Sequence, residues 1–115
     1  MPTPEATLAQ LAVEYWKLLR TVERVIEAVS PDARERFVSQ ARYSASRLDT
    51  LLIEQNMSIQ TFDGMDFEVN LPASPINGDD FPNNQKTVVE RTLEPAVISN
   101  MCVMSMGKVF LAKKD

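Results

Sequence analysis

Four aspartates form the one acidic cluster that could draw a metal ion: Asp63 and Asp66 around Gly64, and Asp79-Asp80 beside Gly78. A hard cation needs several oxygens held at one point. The spacing lacks the alternating ligands of a calcium loop, so these residues read as solvated turns and no metal is expected. The chain has no histidine, the commonest general base and metal ligand. Its single cysteine, Cys102, excludes an intrachain disulfide and a thiolate zinc site. Cys102 lies among Met101, Val103 and Met104, and as a nucleophile it would need an activator other than imidazole. A structural role is expected for it. Gly64, Gly78 and Gly107 stand apart, and no glycine-rich phosphate loop occurs. The residue types speak against an enzyme: no catalytic residue and no cofactor are expected.

What remains is chemistry for binding. Met101, Met104 and Met106 fall within six residues and offer soft apolar surface that adapts to a partner. Strand alternation would put Met104 and Met106 on one face, with Val103 and Ser105 on the other; the competing expectation is that these methionines fill a sheet core. Tyr15 and Trp16 sit mid-helix and are expected to pack in a core. Glu23, Arg24, Glu27 and the run Arg34-Glu35-Arg36 read as solvated helix faces.

The elements that must carry these residues divide the chain in two. Residues 1–60 contain no glycine, whereas residues 61–115 hold all three glycines and four of the seven prolines. A helix is predicted from Thr3-Pro4-Glu5, where threonine caps, proline suits the first turn and glutamate opposes the dipole. Leu8, Leu11, Tyr15, Leu18, Val22, Val25 and Val29 follow at spacings of three and four, a heptad seam widened by Ala12, Trp16, Leu19 and Ile26. Ser30-Pro31-Asp32 starts a second helix, predicted to run to about Asn56. Its stripe is Phe37, Ala41, Ser44, Leu48 and Leu51, with small residues at the middle that let another helix approach. Beyond it, Phe62–Phe67 reads as a turn, 74–84 as a long loop, Thr87–Leu93 as a strand, 96–98 and 101–104 as a hairpin turning at Ser99-Asn100, and Lys108–Ala112 as the last strand. The expected fold class is α+β: an antiparallel helical hairpin at 1–57 that dimerises, then a small, mostly antiparallel β-domain of about five strands at 58–115.

With 115 residues, 44% hydrophobic and 24% charged, the chain can build one small core. No apolar run approaches the ~20 residues of a membrane span, and no secretory flanks occur, so a cytoplasmic protein without a membrane role is expected. A net charge of −4 is the wrong sign for wrapping nucleic acid.

From about Glu54 to Ala112 the order of parts resembles GrpE, the nucleotide exchange factor of DnaK-type chaperones. Ile59 followed by Phe62-Asp63-Gly64-Met65-Asp66-Phe67 is similar to that family's lead into its β-domain. Gly78-Asp79-Asp80-Phe81-Pro82 is similar to its acidic loop. Val88-Val89-Glu90-Arg91-Thr92-Leu93 resembles the strand before its wing hairpin, and Gly107-Lys108-Val109-Phe110-Leu111-Ala112 its closing strand. Two departures stand out. The family's chaperone-contacting arginine, followed by proline and alanine, is replaced by Met104-Ser105-Met106, and the family's N-terminal helix is much longer. The resemblance implies a dimeric co-chaperone whose β-domain docks on a DnaK-type (Hsp70-like) ATPase and promotes nucleotide exchange. The alternative is a non-enzymatic dimeric structural or adaptor subunit of a larger assembly. The expected partner-binding residues are Glu94, Pro95, Ile98, Asn100, Met101 and Met104. The expected homodimer interface centres on Leu11, Leu18, Val22 and Leu48.

Overall fold

A computed structural model describes residues 3–115. Helix α1 spans Pro4–Glu27 and helix α2 spans Pro31–Ile53. The Thr3 hydroxyl oxygen accepts a hydrogen bond from the Ala6 amide at 3.0 Å, closing the start of α1. At the other end of α1 the Arg34 guanidinium donates to the Glu27 and Val29 carbonyl oxygens at 3.2 and 3.0 Å, so the first turn of α2 closes the last turn of α1. Helix α2 stops at Ile53, short of the predicted Asn56. Asn56 takes a left-handed conformation (φ 58°) that turns the chain out of the helix.

Six strands follow: β1 Met57–Gln60, β2 Ala73–Pro75, β3 Thr87–Glu94, β4 Ala96–Ser99, β5 Cys102–Ser105 and β6 Gly107–Lys113. They form two three-stranded sheets, ordered β1-β4-β5 and β2-β6-β3, rather than the single five-stranded sheet expected. The reason is a bend. β3 with β4, and β5 with β6, are the two arms of one long antiparallel ribbon. Pro95 interrupts the outgoing arm and Met106 the returning arm, so the ribbon passes from one sheet to the other at that level. Proline has no amide hydrogen to continue a ladder. β1 joins the tip half beside β4, and β2 joins the base half in parallel beside β6. β2 lies where a loop was expected. It is held there because Asn77 exchanges two side-chain hydrogen bonds with the Leu111 backbone, at 2.8 and 2.9 Å.

Two cores result. One lies between the tip sheet and the helices: Ala9, Ala12, Val13 and Trp16 of α1, Leu48 and Leu52 of α2, Met57 of β1 and Val97 of β4. The other lies beneath the base sheet around Phe62, Ala73, Val89, Ala96, Val109 and Leu111. The sheet therefore covers one stripe of α1, the stripe that Ala12 and Trp16 mark, which in the sequence pattern reads as the widening of the seam toward a further neighbour. The hairpin otherwise projects. Among the described residues Leu48 and Leu52 are the only buried positions of α2, both near its C-terminal end. The radius of gyration is 16.1 Å, above the ~13 Å of a compact domain this long.

The bend depends on close approach at Gly107. A Cβ there would stand 2.8 Å from the Phe62 ring, 3.0 Å from the Glu94 carbonyl oxygen and 3.1 Å from the Ala96 nitrogen. Two of these neighbours are backbone and cannot swing away. Gly107→Ala should destabilise the protein by about 1–3 kcal/mol, the usual range for overpacking, read as a lowered urea midpoint. An unchanged midpoint would show that the arms of the ribbon separate freely.

Candidate protein-binding surfaces

The tip of the ribbon turns at Asn100-Met101, one residue beyond the expected Ser99-Asn100. Ser99 pairs with Cys102, and both intervening residues have positive φ, 51° and 66°. This is the two-residue turn whose twist suits a hairpin, and its favoured pair is Asn-Gly. Asn100 fits. Met101 stands where glycine is preferred, in a conformation that costs an L-residue about 1–2 kcal/mol. Its side chain is 97% exposed. The tip is anchored from below: the Asn100 amide donates to the Asn56 carbonyl oxygen at 3.1 Å, tying the turn to the chain leaving α2. Beside it opens a cleft of about 460 Å3 lined by Ile53, Asn56, Met57, Ser58, Ile98, Asn100 and Met101. Ile53 is exposed at its rim. A strained, solvent-facing methionine on a fixed turn is an outlier of the kind that collects at binding sites.

Of the other residues expected at this surface, Ile98 reaches the cleft with one side only, and the rest are placed elsewhere. Pro95 is fully buried at the bend and cannot meet a partner. Ile98 is half-buried against the base core, and Met104 against the helix–sheet core. Glu94 is held inside the chain, with its carboxylate 3.1 Å from Lys17 Nζ of α1 and 3.9 Å from Lys108 Nζ of β6. The hydrogen bond to Glu94, followed by the attraction of the Glu94 and Glu14 charges, holds the Lys17 ammonium above its ordinary pKa. Alternation failed to place these residues because the register slips between Val97 and Ile98, so that Met104 faces no single partner on β4. Met106, half exposed, lies at the bend rather than in a strand.

A second apolar surface runs along the exposed side of the hairpin, bordering the ribbon at Leu11. Leu11 and Leu18 are 63% and 65% exposed, with Val22 and Val25 along the same line of α1 and Phe37 and Leu51 exposed on α2. Between the helices lies a depression of about 340 Å3 lined by Tyr15, Leu18, Leu19, Val22, Phe37, Gln40, Ala41 and Ser44. The small residues Ala41 and Ser44 make its floor shallow in side-chain bulk. The Tyr15 hydroxyl donates to the Ser44 carbonyl oxygen at 2.9 Å and fixes the two helices across it. Leu48, expected on this face, is buried inside the chain with Leu52 and Trp16. Its place on the face is taken by Phe37 and Leu51, which the α2 stripe contained but which were not singled out.

The acidic residues are dispersed. Asp63 Oδ2 accepts from Arg20 at 2.9 Å while its Oδ1 accepts from the Thr92 amide, which ties the turn before β2 to α1 and β3. Asp66 pairs with Lys114 at 2.8 Å, and Asp79 and Asp80 lie in a 3₁₀ turn at Gly78–Asp80. Among the described residues no three His, Cys, Asp or Glu side chains gather as a metal site. Cys102 is an exposed free thiol on β5.

Met101→Gly should stabilise the protein by about 1 kcal/mol, because glycine relieves the left-handed strain. Met104→Asp should destabilise it by about 1–3 kcal/mol, because its carboxylate would enter the helix–sheet core. Thermal melting followed by circular dichroism reads both; a lowered melting temperature for Met101→Gly would refute the strain at the tip. Comparison of the chain with protein-family models, with curated proteins and with solved structures found no match.

Proposed function

We propose that the protein is a dimeric, non-catalytic adaptor of the GrpE kind, which docks a DnaK-type ATPase through the tip of its β-ribbon and speeds nucleotide release. The observation that carries this reading is Met101. A protein that needed only a stable hairpin would place glycine there, whereas this one holds a large, deformable apolar side chain fully in solvent. The cleft bounded by Ile53 and Met101 gives a partner side chain somewhere to enter, in line with the pocketed anchors that dominate interfaces.

Self-association is the second part of the proposal. The outer face of the hairpin follows 24 residues of α1. It is roughly 36 Å long and about two helix diameters wide, roughly 700 Å2, near the ~800 Å2 that each partner buries in a standard-size interface. Its features are self-complementary. Leu18 protrudes beside a depression floored by Ala41 and Ser44, so a two-fold axis would seat each Leu18 in the partner's depression. The result is a four-helix arrangement in which α2, nearly without burial in the single chain, gains a core.

An exchange factor needs no catalytic group. It must bind an open nucleotide cleft more tightly than a closed one, and a hundredfold faster release requires about 2.7 kcal/mol of such preference. The adaptor alternative draws support from one position: the chain carries Met104-Ser105-Met106, with no cation, where the resemblance expects an arginine.

Two measurements test the proposal. Light scattering at micromolar concentration should give a dimer, and Leu18→Glu should return it to a folded monomer of the single-chain mass, 12.9 kDa; a wild-type monomer would refute the self-association. Release of a fluorescent nucleotide from a DnaK-type ATPase of the same cell should accelerate at least tenfold with the wild-type protein and much less with the more stable Met101→Gly. Binding without acceleration would select the adaptor reading, and absence of binding would refute the ATPase as partner.

A further inference from the structure

β5 is the outer strand of the tip sheet, paired with β4 alone. Natural sheets protect such edges with charge, proline, cover or brevity. The other edges here follow that rule, and β5 follows it in part, being four residues long with a bulge at Met104 and α1 packed against it; what it lacks is charge and proline. β2 has three residues and ends in Pro75. β3 carries Glu90 and Arg91, and its outer side is occupied by the preceding turn, where the Gly64 and Phe67 amides donate to the Val89 and Thr87 carbonyl oxygens. β1 has α2 packed beside it. The stretch Met101–Met106 contains neither a charge nor a proline.

The turn geometry fixes which backbone groups this edge offers. In a two-residue hairpin the flanking residues, Ser99 and Cys102, form the hydrogen-bonded pair, so the next pair, Ile98 and Val103, is the non-bonded one. The Val103 N–H and C=O therefore point away from β4. Among the described residues neither group bonds to another loop or turn. The Val103 side chain is 49% exposed, and Cys102 beside it is exposed as well. The irregularity at Met104 bends the strand and confines the open edge to its first half, next to the Met101 tip.

We infer that the docking surface works by strand addition: an extended segment of a protein partner, apolar at alternate positions, pairs with Val103 on the free edge of β5 while one of its flanking side chains packs on Met101. The edge chemistry selects this occupant. The outward N–H and C=O of Val103 are met by the backbone of another strand, and an uncharged rim favours an apolar sequence over a charged one. The inference rests on the hairpin tip being a docking site, and it adds the conformation and chemistry of what docks.

The probe is a phage-displayed library of random dodecapeptides selected on the full-length protein, which requires no ATPase, so failure of the ATPase to bind and failure of strand addition are separate results. Selected peptides should share alternating apolar residues without proline. Their affinity should fall at least tenfold with Val103→Pro, which removes one N–H that no internal ladder uses, and should survive Val103→Thr, which keeps it. Exchange of the Val103 amide, fast in the free protein, should slow at least tenfold on adding a selected peptide, and this decides the matter if Val103→Pro does not fold. Failure to select any peptide, peptides that bind Val103→Pro as tightly as wild type, or an unprotected Val103 amide would overturn strand addition. Conversion of a wild-type dimer to monomer by Val103→Pro would show that β5 pairs with its own copy, and would also overturn it.

Discussion

The close approach at the bend of the ribbon sets the positions of everything else. Phe62, Pro95, Ala96 and Gly107 meet where the outgoing and returning arms change sheet, and the glycine admits the Phe62 ring and two backbone groups that any side chain would displace. Because both arms bend at one level, the ribbon divides into a base half around Phe62 and Val109 and a tip half that faces α1. The tip half can then lay Met57 and Val97 against Ala12, Val13 and Trp16. A straight ribbon would give one long sheet and leave the helices with nothing to cover their inner stripe.

Polar contacts reinforce this arrangement from the sides. Lys17 reaches Glu94 next to the bend, and Arg20 reaches Asp63, whose other oxygen receives the Thr92 amide. These pairs are partly exposed, and such pairs contribute little energy individually. Their effect is directional: they orient α1 across the ribbon, while the buried apolar contacts supply the bulk of the stabilisation. The same division accounts for Glu94, a conspicuous charge beside a hairpin, pairing within the chain with Lys17 and Lys108.

Stability and exposure are distributed unequally over the molecule. The junction of helices and tip sheet is packed, whereas α2 from Pro31 to Arg47 has no fully buried residue and only a half-buried line at Ala33, Val38, Ala41, Ser44 and Ala45, and helical stability in proteins comes mostly from a packed face. The hairpin tip is the opposite case, fixed by its turn and by the Asn100–Asn56 bond, yet presenting Met101 to solvent. A rigid support under an adaptable side chain loses little entropy when something binds.

Local chemistry made much of the fold legible in the sequence. Thr3-Pro4 and Pro31 mark helix starts because proline and a capping hydroxyl suit a first turn, and the three-and-four spacing of apolar residues requires helices there. The last strands could be read because apolar runs bounded by Pro95, Asn100 and Gly107 allow little else. The sequence also located an exposed methionine near the tip, since methionine-rich hairpins are adaptable whatever their register. The tertiary structure decided what depends on contacts between distant residues. It decided that Ala12 and Trp16 face a sheet, that Leu48 is internal, that Pro95 is buried and that the ribbon bends into two sheets. None of these has a local signature: an apolar stripe states that a face must be covered, not by what, and a proline states that a ladder breaks, not which way the chain then turns. The one-residue shift that placed Met101 in the turn and Val103 on the open edge was likewise set by pairing across the ribbon, because side chains alternate with a period of two and a single slip exchanges every face.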